Sequence, residues 1–490
     1  MPVINAKKQP NMYAVKSHIS LTGKLMAASL FASATDGAAQ PAKTPAMPER
    51  PNFLFIMTDH YTTLAFSYIG NKDLHTPNLD RLAREGHFFT NAYCAYPLST
   101  PSRAAIITGM MPSENRVNEN RLPLPEEFQA ESLGRLLKEN GYDAAWCGKW
   151  HVGKLNEDEH GFEALGDSGD TDVAGRVISF LRRGHDKPFF VAASYCNPHN
   201  ICQFARNQPF PDVPTIPKVP VEECPALPAN FLPSTFEPEA IRREQAANPS
   251  NYPVVGWSQD QWRHYRYAFY RLCEIVDGQI GQILDEVRRL GLEEKTVIVF
   301  TADHGDGMGA HQWNQKTVLY DEVAKIPFIV RLPGRVGAGS IHPAVVSNGI
   351  DFFPTVCDYA GIAVPGKLAG SSIRPILEGK AGKLPRAYTV TQTMFGERGH
   401  GYSTCGWMIR TDDYKYTIYD KWGNREQLFD TRADPGEMVN LAASASHRQP
   451  LDAHRRMLWE WAHRVKDRAA IESLKDLCPE FTIRKKKEAN

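Results

Sequence analysis

The segment Asn52–Asp59 is apolar at nearly every position and ends in a carboxylate, the pattern of a strand covered on both faces. Similar runs recur at 142–146, 188–194, 296–301 and 326–332. Between them, apolar residues return every three or four positions. One predicted helix covers 79–85, where Thr76 or Asn78 supplies an oxygen to the first free amides. A longer one covers 261–290, with Phe269, Leu272, Val276, Ile283 and Val287 along one side. Strands alternating with helices predict an α/β fold built on a large, mostly parallel or mixed sheet flanked by helices.

From about Ala387 the pattern shortens to polar–apolar alternation over 388–393, 406–411, 414–420 and 427–429, followed by a helical period over 451–465. These segments predict a smaller C-terminal α+β subdomain with an antiparallel sheet. The expected organisation is a leader (1–40), a catalytic domain (51–380), the subdomain (385–465) and a solvated tail (466–490) ending near Lys485-Lys486-Lys487. Eleven prolines between Pro209 and Pro253 mark 205–256 as an irregular surface excursion. The apolar stretch 25–34 is about half of what a membrane-spanning helix requires. It follows Lys16 and Lys24 and runs into Gly37-Ala38-Ala39, as in a secretory signal cleaved near Ala39 or Gln40. A start at Met12 would give that signal ordinary proportions. The expectation is a periplasmic or secreted protein without a transmembrane segment.

Charge and cysteine content narrow the function. Lys+Arg and Asp+Glu both number 56, so no net field is available to hold a nucleic-acid backbone or an anionic membrane. Nine cysteines without a CxxC pair do not make a disulfide framework or a zinc finger. Cys196 and Cys202 are the pair that export could oxidise.

Two predicted strands end in chemistry-bearing residues, Asp59-His60 after the first and Asp303-His304-Gly305-Asp306-Gly307 after another. An open α/β sheet collects its ligands at such carboxyl ends. Carboxylates on these loops suit Ca²⁺ or Mg²⁺, and the imidazoles leave room for Mn²⁺. Between the two pairs lies Ser99-Thr100-Pro101-Ser102-Arg103. A turn of this kind opening a helix places Ser99 at the positive end of the helix dipole, with an arginine just behind it.

The segment from Asn91 through Ser99-Thr100-Pro101-Ser102-Arg103 to Thr108-Gly109 resembles the signature of the type I sulfatases, members of the alkaline-phosphatase-like superfamily. In that family a Cys or Ser opening the motif is oxidised to formylglycine. Other matching motifs follow in order along nearly the whole chain: Thr76-Pro77-Asn78-Leu79-Asp80-Arg81, Gly148-Lys149-Trp150-His151, Asn197-Pro198-His199, Thr301-Ala302-Asp303-His304-Gly305, Lys316 before Tyr320-Asp321-Glu322, and Asp434-Pro435-Gly436-Glu437.

The resemblance implies a role for each matched position. Ser99 is the formylglycine precursor, acted on by a serine-competent maturation enzyme, and Arg103 orients it. Asp59, Asp303, His304 and modified Ser99 are ligands of one calcium ion, with His60 beside them where many members carry Asp, Asn or Gln. Lys149 and Lys316 hold sulfate oxygens, His151 acts as base on the formylglycine hydrate, and His199 faces the leaving group. Asn120 corresponds to a sulfate-contacting Asn, although Asn115-Arg116-Val117 departs from the usual His-Gly-Val. Arg206, Arg398, His400, Trp407 and Arg410 are candidates for gripping a sulfated carbohydrate such as a glycosaminoglycan or ulvan fragment, as O- or N-sulfate. A phosphonate or phosphate monoester hydrolase on the same scaffold, and a sulfoglycan-binding protein with an inactive site, are the alternatives.

Overall fold

The continuous apolar runs occupy the centre of an eight-stranded sheet, where strands need cover on both faces. The computed structural model describes residues 49–152, 156–166, 169–332, 339–396 and 403–478. The strands are β1 (Asn52–Asp59), β2 (His87–Tyr93), β3 (Asp143–Gly148), β4 (Glu163–Ala164), β5 (Phe189–Pro198), β6 (Thr296–Ala302), β7 (Phe328–Arg331) and β8 (Ser340–Ser347). They lie in the order β4-β3-β5-β1-β6-β7-β2-β8, and β7 alone runs against its neighbours. β1 is parallel to β5 on one side and to β6 on the other, with Met57 opposite Ser194 and Thr301. The mixed α/β class expected from the pattern is the one observed.

Helices α1 (Pro77–Glu85), α2 (Ser99–Thr108), α3 (Val173–Arg182), α4 (Glu239–Ala247), α5 (Gln259–Arg289) and α6 (Asn348–Ala360) surround the sheet. Ser258 caps α5 by accepting from the Gln261 amide. The start of α1 differs from expectation. Thr76 occupies the cap position, but its hydroxyl donates to Asp80 (3.0 Å) and caps nothing. The first amides are taken instead by Asp277 of α5, which accepts from Asn78 N (3.2 Å) and Leu79 N (2.8 Å). A carboxylate from a neighbouring helix is a stronger acceptor than a local hydroxyl and also ties the two helices together. The proline-rich segment is not wholly irregular either: Pro238 precedes α4, whose Glu-Ala-Ile-Arg-Arg-Glu-Gln run is rich in helix formers.

The second sheet, β12-β11-β10-β9, is antiparallel and comprises β9 (Thr389–Phe395), β10 (Thr404–Arg410), β11 (Tyr414–Tyr419) and β12 (Glu426–Asp430). Its alternation buries both faces. Trp407, Ile409, Tyr416 and Ile418 pack against Leu451, Leu458 and Trp461 of α7 (Arg448–Arg464). Phe395, Met408 and Tyr419 pack against Tyr93, Trp313 and Tyr320 of the larger part. The stretch read as a tail begins with another helix, α8 (Arg468–Lys475), whose Ala470 and Leu474 join the first of these clusters.

A buried ionic network spans the join between the two sheets. Lys415 Nζ lies 2.8 Å from Asp321 Oδ1 and 2.6 Å from Glu437 Oε1, and the other Glu437 oxygen accepts from the Asp321 amide at 2.8 Å. Against the cost of burial, Lys415, Lys325 and Arg410 hold Asp321 well below the usual carboxylate range. Burial instead pushes Glu437 up to about 8, since Lys415 is already engaged by Asp321.

Candidate active site

Four adjacent parallel strands, β3-β5-β1-β6, end at one edge of the large sheet. The residues that follow them are therefore brought into a row: Lys149 after β3, His199 after β5, Asp59-His60 closing β1, and Asp303-His304 after β6. The turn after β3 depends on a glycine. Gly148 has φ 85°, and a Cβ there would stand 2.1 Å from the Ser194 carbonyl oxygen. Gly305 is equally confined, because its Cβ would meet the Glu322 carbonyl at 2.0 Å.

Ser99 begins α2 and is fully buried. Its Oγ lies 3.0 Å from Asp59 Oδ2 and 3.2 Å from His304 Nε2. One turn on, the buried Arg103 braces the centre. Its Nε donates to Asp303 Oδ2 (2.9 Å), and Nη1 donates to the Lys149 carbonyl (2.7 Å) and the Ser194 hydroxyl (2.9 Å). Ser102 Oγ donates to the Asp303 carbonyl at 2.6 Å. Helix α2 and the β6 turn are thus fixed to one another by two side chains of one motif.

The donor set fits a divalent cation. His304 Nδ1 is 3.0 Å from the Gly305 carbonyl, which can only accept, so Nδ1 carries the proton and Nε2 offers a lone pair. That lone pair faces Asp59 Oδ1 at 3.8 Å and Asp303 Oδ1 at 3.7 Å. Asp59 Oδ1 is buried and has no hydrogen-bond donor. Two carboxylates, an imidazole lone pair and a hydroxyl oxygen thus lie together with Asp59 Oδ1 left without a donor, and such an oxygen-rich set suits a hard cation. His60 stands beside this set. Its ring stacks on His199 (4.7 Å between centroids, 7° between planes), and its Nδ1 is 4.0 Å from Asp59 Oδ1 and 3.7 Å from Cys202 Sγ.

Electrostatics follow from burial around a few charges. Burial opposes ionisation of Asp59, yet Lys149 Nζ at 2.5 Å and the surrounding imidazoles hold it well below the usual range. Asp59 in turn raises Lys149, against its own burial. Burial, reinforced by Lys149 and Arg103, pushes His151 down to about 3. His199 and His60 are likewise driven well below the ordinary imidazole value by burial, with Lys149 adding to the effect at His199 and Lys316 at His60.

Above this centre opens a cleft of about 370 Å³ lined by Leu98, Asn120, Arg121, His199, Arg206 and Lys316 among others. Asn120 Oδ1 accepts from the Thr100 amide of α2 at 3.1 Å.

The model of the family described as "Sulfatase" matches residues 51–362, and that described as "N-sulphoglucosamine sulphohydrolase, C-terminal" matches 309–463. The chain belongs to the sulfatase family. A relative named Delta 4,5-hexuronate-2-O-sulfatase, from Bacteroides thetaiotaomicron, is 33% identical over 441 residues, covering 86% of this chain and 90% of its own. Among solved structures, a 2-O GAG sulfatase superposes with TM-score 0.75 at 32% identity, covering 85% of this chain and 93% of that one. Another, described in complex with its substrate D-glucosamine-2-N,6-O-disulfate, gives TM-score 0.71 at 26% identity, covering 86% and 99%. The chain is a sulfuric ester hydrolase.

In this sulfatase the residues named from the motifs converge: Asp59, His60, Ser99, Arg103, Lys149, His151, His199, Asp303 and His304 at the strand ends, with Asn120, Arg206 and Lys316 in the cleft. Arg410 does not join them. It is buried, and its Nε donates to Tyr93 Oη at 3.0 Å. It closes β10 opposite Thr389, at the far end from the Thr404–Phe395 pair that adjoins the cleft, so it serves the join between the sheets and is not available to substrate. Trp407 is also buried, donating to Asp467 at 2.8 Å, and has no face free for a sugar. Arg398 and His400 lie outside the described residues, as do the leader and the lysine-rich end of the tail. Among the described residues no disulfide joins any of the nine cysteines, and Cys202 Sγ lies 3.7 Å from His60 Nδ1. Among the described residues no helix is long and apolar enough to cross a membrane.

Sequence reasoning missed Arg121, Glu244, Asn248, Asn251 and Tyr252 of the cleft wall. Four of these sit in the proline-rich segment, which has no period to announce them; the good helix formers after Pro238 were the one available signal.

Proposed function

We propose that this sulfatase removes a sulfate from a saccharide outside the cytoplasm, using Ser99 in its formylglycine form and a calcium ion held by Asp59, Asp303, His304 and residue 99. The observation that carries this reading is the meeting of Ser99 Oγ with Asp59 Oδ2 (3.0 Å) and His304 Nε2 (3.2 Å) at the start of α2. A hydrated aldehyde at residue 99 supplies a nucleophilic hydroxyl and a second one whose deprotonation releases sulfate, and the cation polarises the sulfate oxygens. The chain's own residues do the rest. Lys149 and Lys316 offset the charge of the sulfate oxygens. Arg103 keeps Asp303 and α2 in register. His199, on the cleft side, would supply the proton needed by the departing alcohol once an anionic substrate beside it favours its charged form, and His151 would accept one from residue 99.

The similarity to sulfatases named for hexuronate, N-acetylglucosamine and ulvan supports a saccharide as substrate. Export by the N-terminal signal and conversion of Ser99 by a serine-competent maturation enzyme belong to the same reading. The test is sulfate release from defined sulfated mono- and disaccharides, followed by ion chromatography. Peptide mass spectrometry accompanies it, expected to show the loss of two hydrogens at residue 99. Turnover confined to small aryl or alkyl sulfates contradicts the saccharide assignment, and full activity with unmodified serine contradicts the nucleophile.

A further inference from the structure

The turn that follows β5 carries His199 and Cys202 three residues apart. The Cys202 amide donates to the His199 carbonyl at 2.9 Å, and residues so spaced in a turn present their side chains on one side. His60 stands against them, its ring stacked on that of His199. It has φ 70°, a left-handed conformation that a residue other than glycine adopts at some cost, directly after β1. His60 and Cys202 are both buried, and among the described residues His60 Nε2 has no hydrogen-bond partner.

Each of these three side chains brings one donor atom to within 4.8 Å of the other two. In a tetrahedral shell with Zn–S about 2.3 Å and Zn–N about 2.0 Å, sulfur and nitrogen ligands stand about 3.5 Å apart. Cys202 Sγ and His60 Nδ1 are 3.7 Å apart. The set also differs in chemistry from its neighbour. Asp59, Asp303, His304 and residue 99 offer mainly oxygen, whereas two imidazoles and a thiol select Zn²⁺ or Co²⁺ over Ca²⁺. His199 and Cys202 line the cleft, so an ion reaches them from that side and keeps its fourth position there for water.

We propose that His60, His199 and Cys202 form a second, thiophilic metal site at the floor of the cleft, and that Zn²⁺ bound there inhibits the enzyme by occupying the His199 imidazole. The Cys202 thiol releases its proton to solvent as the metal–sulfur bond forms. The inhibition rests on the sulfatase reading of the Ser99 centre; the binding does not.

The full-length protein, kept in excess Ca²⁺, is titrated with Co²⁺ and followed by absorption. In parallel, Zn²⁺ is added while sulfate release is measured from a sugar sulfate and from an activated aryl sulfate. Wild type is expected to show a sulfur-to-cobalt charge-transfer band that saturates at one equivalent. Zinc should depress turnover of the sugar sulfate at least about ten times more than that of the aryl sulfate, whose leaving group needs no proton. Cys202→Ser should abolish the band and raise the zinc needed for half-inhibition by about tenfold or more, since even partners outside a metal's shell contribute about 10- to 100-fold. His60→Gln keeps the thiol and should still loosen Co²⁺ binding. A wild type without the band overturns the site, and so does a band that survives Cys202→Ser. Zinc inhibition that falls in proportion to added Ca²⁺ also overturns it, because the zinc then sits among the carboxylates. A protein that shows the band but releases sulfate from no substrate keeps the metal site and loses the sulfatase reading.

Discussion

Replacing Lys415 by Met should expose how the two sheets are held together. Lys415 is fully buried and is the closest cation to both Asp321 and Glu437, at 2.8 and 2.6 Å. Methionine keeps the volume but leaves the buried Glu437 and the largely buried Asp321 to share the more distant Lys325 and Arg410. Breaking a buried pair in this way costs about 3–5 kcal/mol. For a chain of this size the unfolding entropy is roughly 0.9 kcal/mol per degree, so the melting temperature should fall by about 3–6 °C. The loss has a pH signature. In the wild type Glu437 is raised to about 8, so the native state keeps a proton that the unfolded chain releases above about 4.3, and stability declines between those values. Without Lys415, Asp321 is also pushed upward, and the native variant holds more protons than the wild type. The deficit should therefore widen as pH rises from 5 to 8, by up to about 1.4 kcal/mol per unit. Differential scanning calorimetry at pH 5, 6.5 and 8 measures it. A melting temperature within a degree of wild type, or a deficit identical at pH 5 and 8, refutes the reasoning.

Asp303→Ala should abolish sulfate release, because it removes both a proposed cation ligand and the partner of Arg103 Nε; activity that survives this change and exhaustive chelation contradicts the site assignment. His199→Ala should depress turnover of alkyl or sugar sulfates at least ten times more than that of an activated aryl sulfate, whose leaving group needs no proton; equal losses on both rule out the acid role. Arg410→Met should lower the melting temperature while the kcat/KM ratio between two saccharides stays within about twofold, since its fork serves Tyr93 and Asp321; a changed substrate preference returns Arg410 to the cleft.

The parallel strands at the centre were legible because burial on both faces leaves an unbroken apolar run, as in β1, β5 and β6. β2 and β8 were not. His87-Phe-Phe-Thr-Asn-Ala-Tyr93 mixes polar and aromatic positions without a clean period, and β8 is an edge strand interrupted by Pro343 and half open to solvent. The candidate catalytic positions are legible in local motifs, because each strand-end turn must present particular atoms within a few residues. The cleft wall follows no such rule. Arg410 looked like a substrate ligand because a sequence does not show which end of a β-strand reaches the opening; that was decided by the antiparallel register with Thr389. Asp434-Pro435-Gly436-Glu437 was recognisable as a motif, but its partnership with Lys415 depends on folding that no spacing reveals.

The burial of Ser99 also constrains the order of events in the life of the chain. Its hydroxyl is wholly inaccessible once α2 is packed, and the sheet that seals it pairs β1 with β6, segments 244 residues apart at Asn52 and Thr296. Pairings of such long range close late, since the loop entropy must be met before the contacts reward it. An enzyme that alters the Ser99 side chain must therefore reach an extended substrate, in the interval between synthesis of residue 99 and closure of the sheet some two hundred residues later. On the proposed conversion of Ser99, the yield of competent molecules would be set by a race between two rates, modification and folding, and a variant that folds faster would emerge less active.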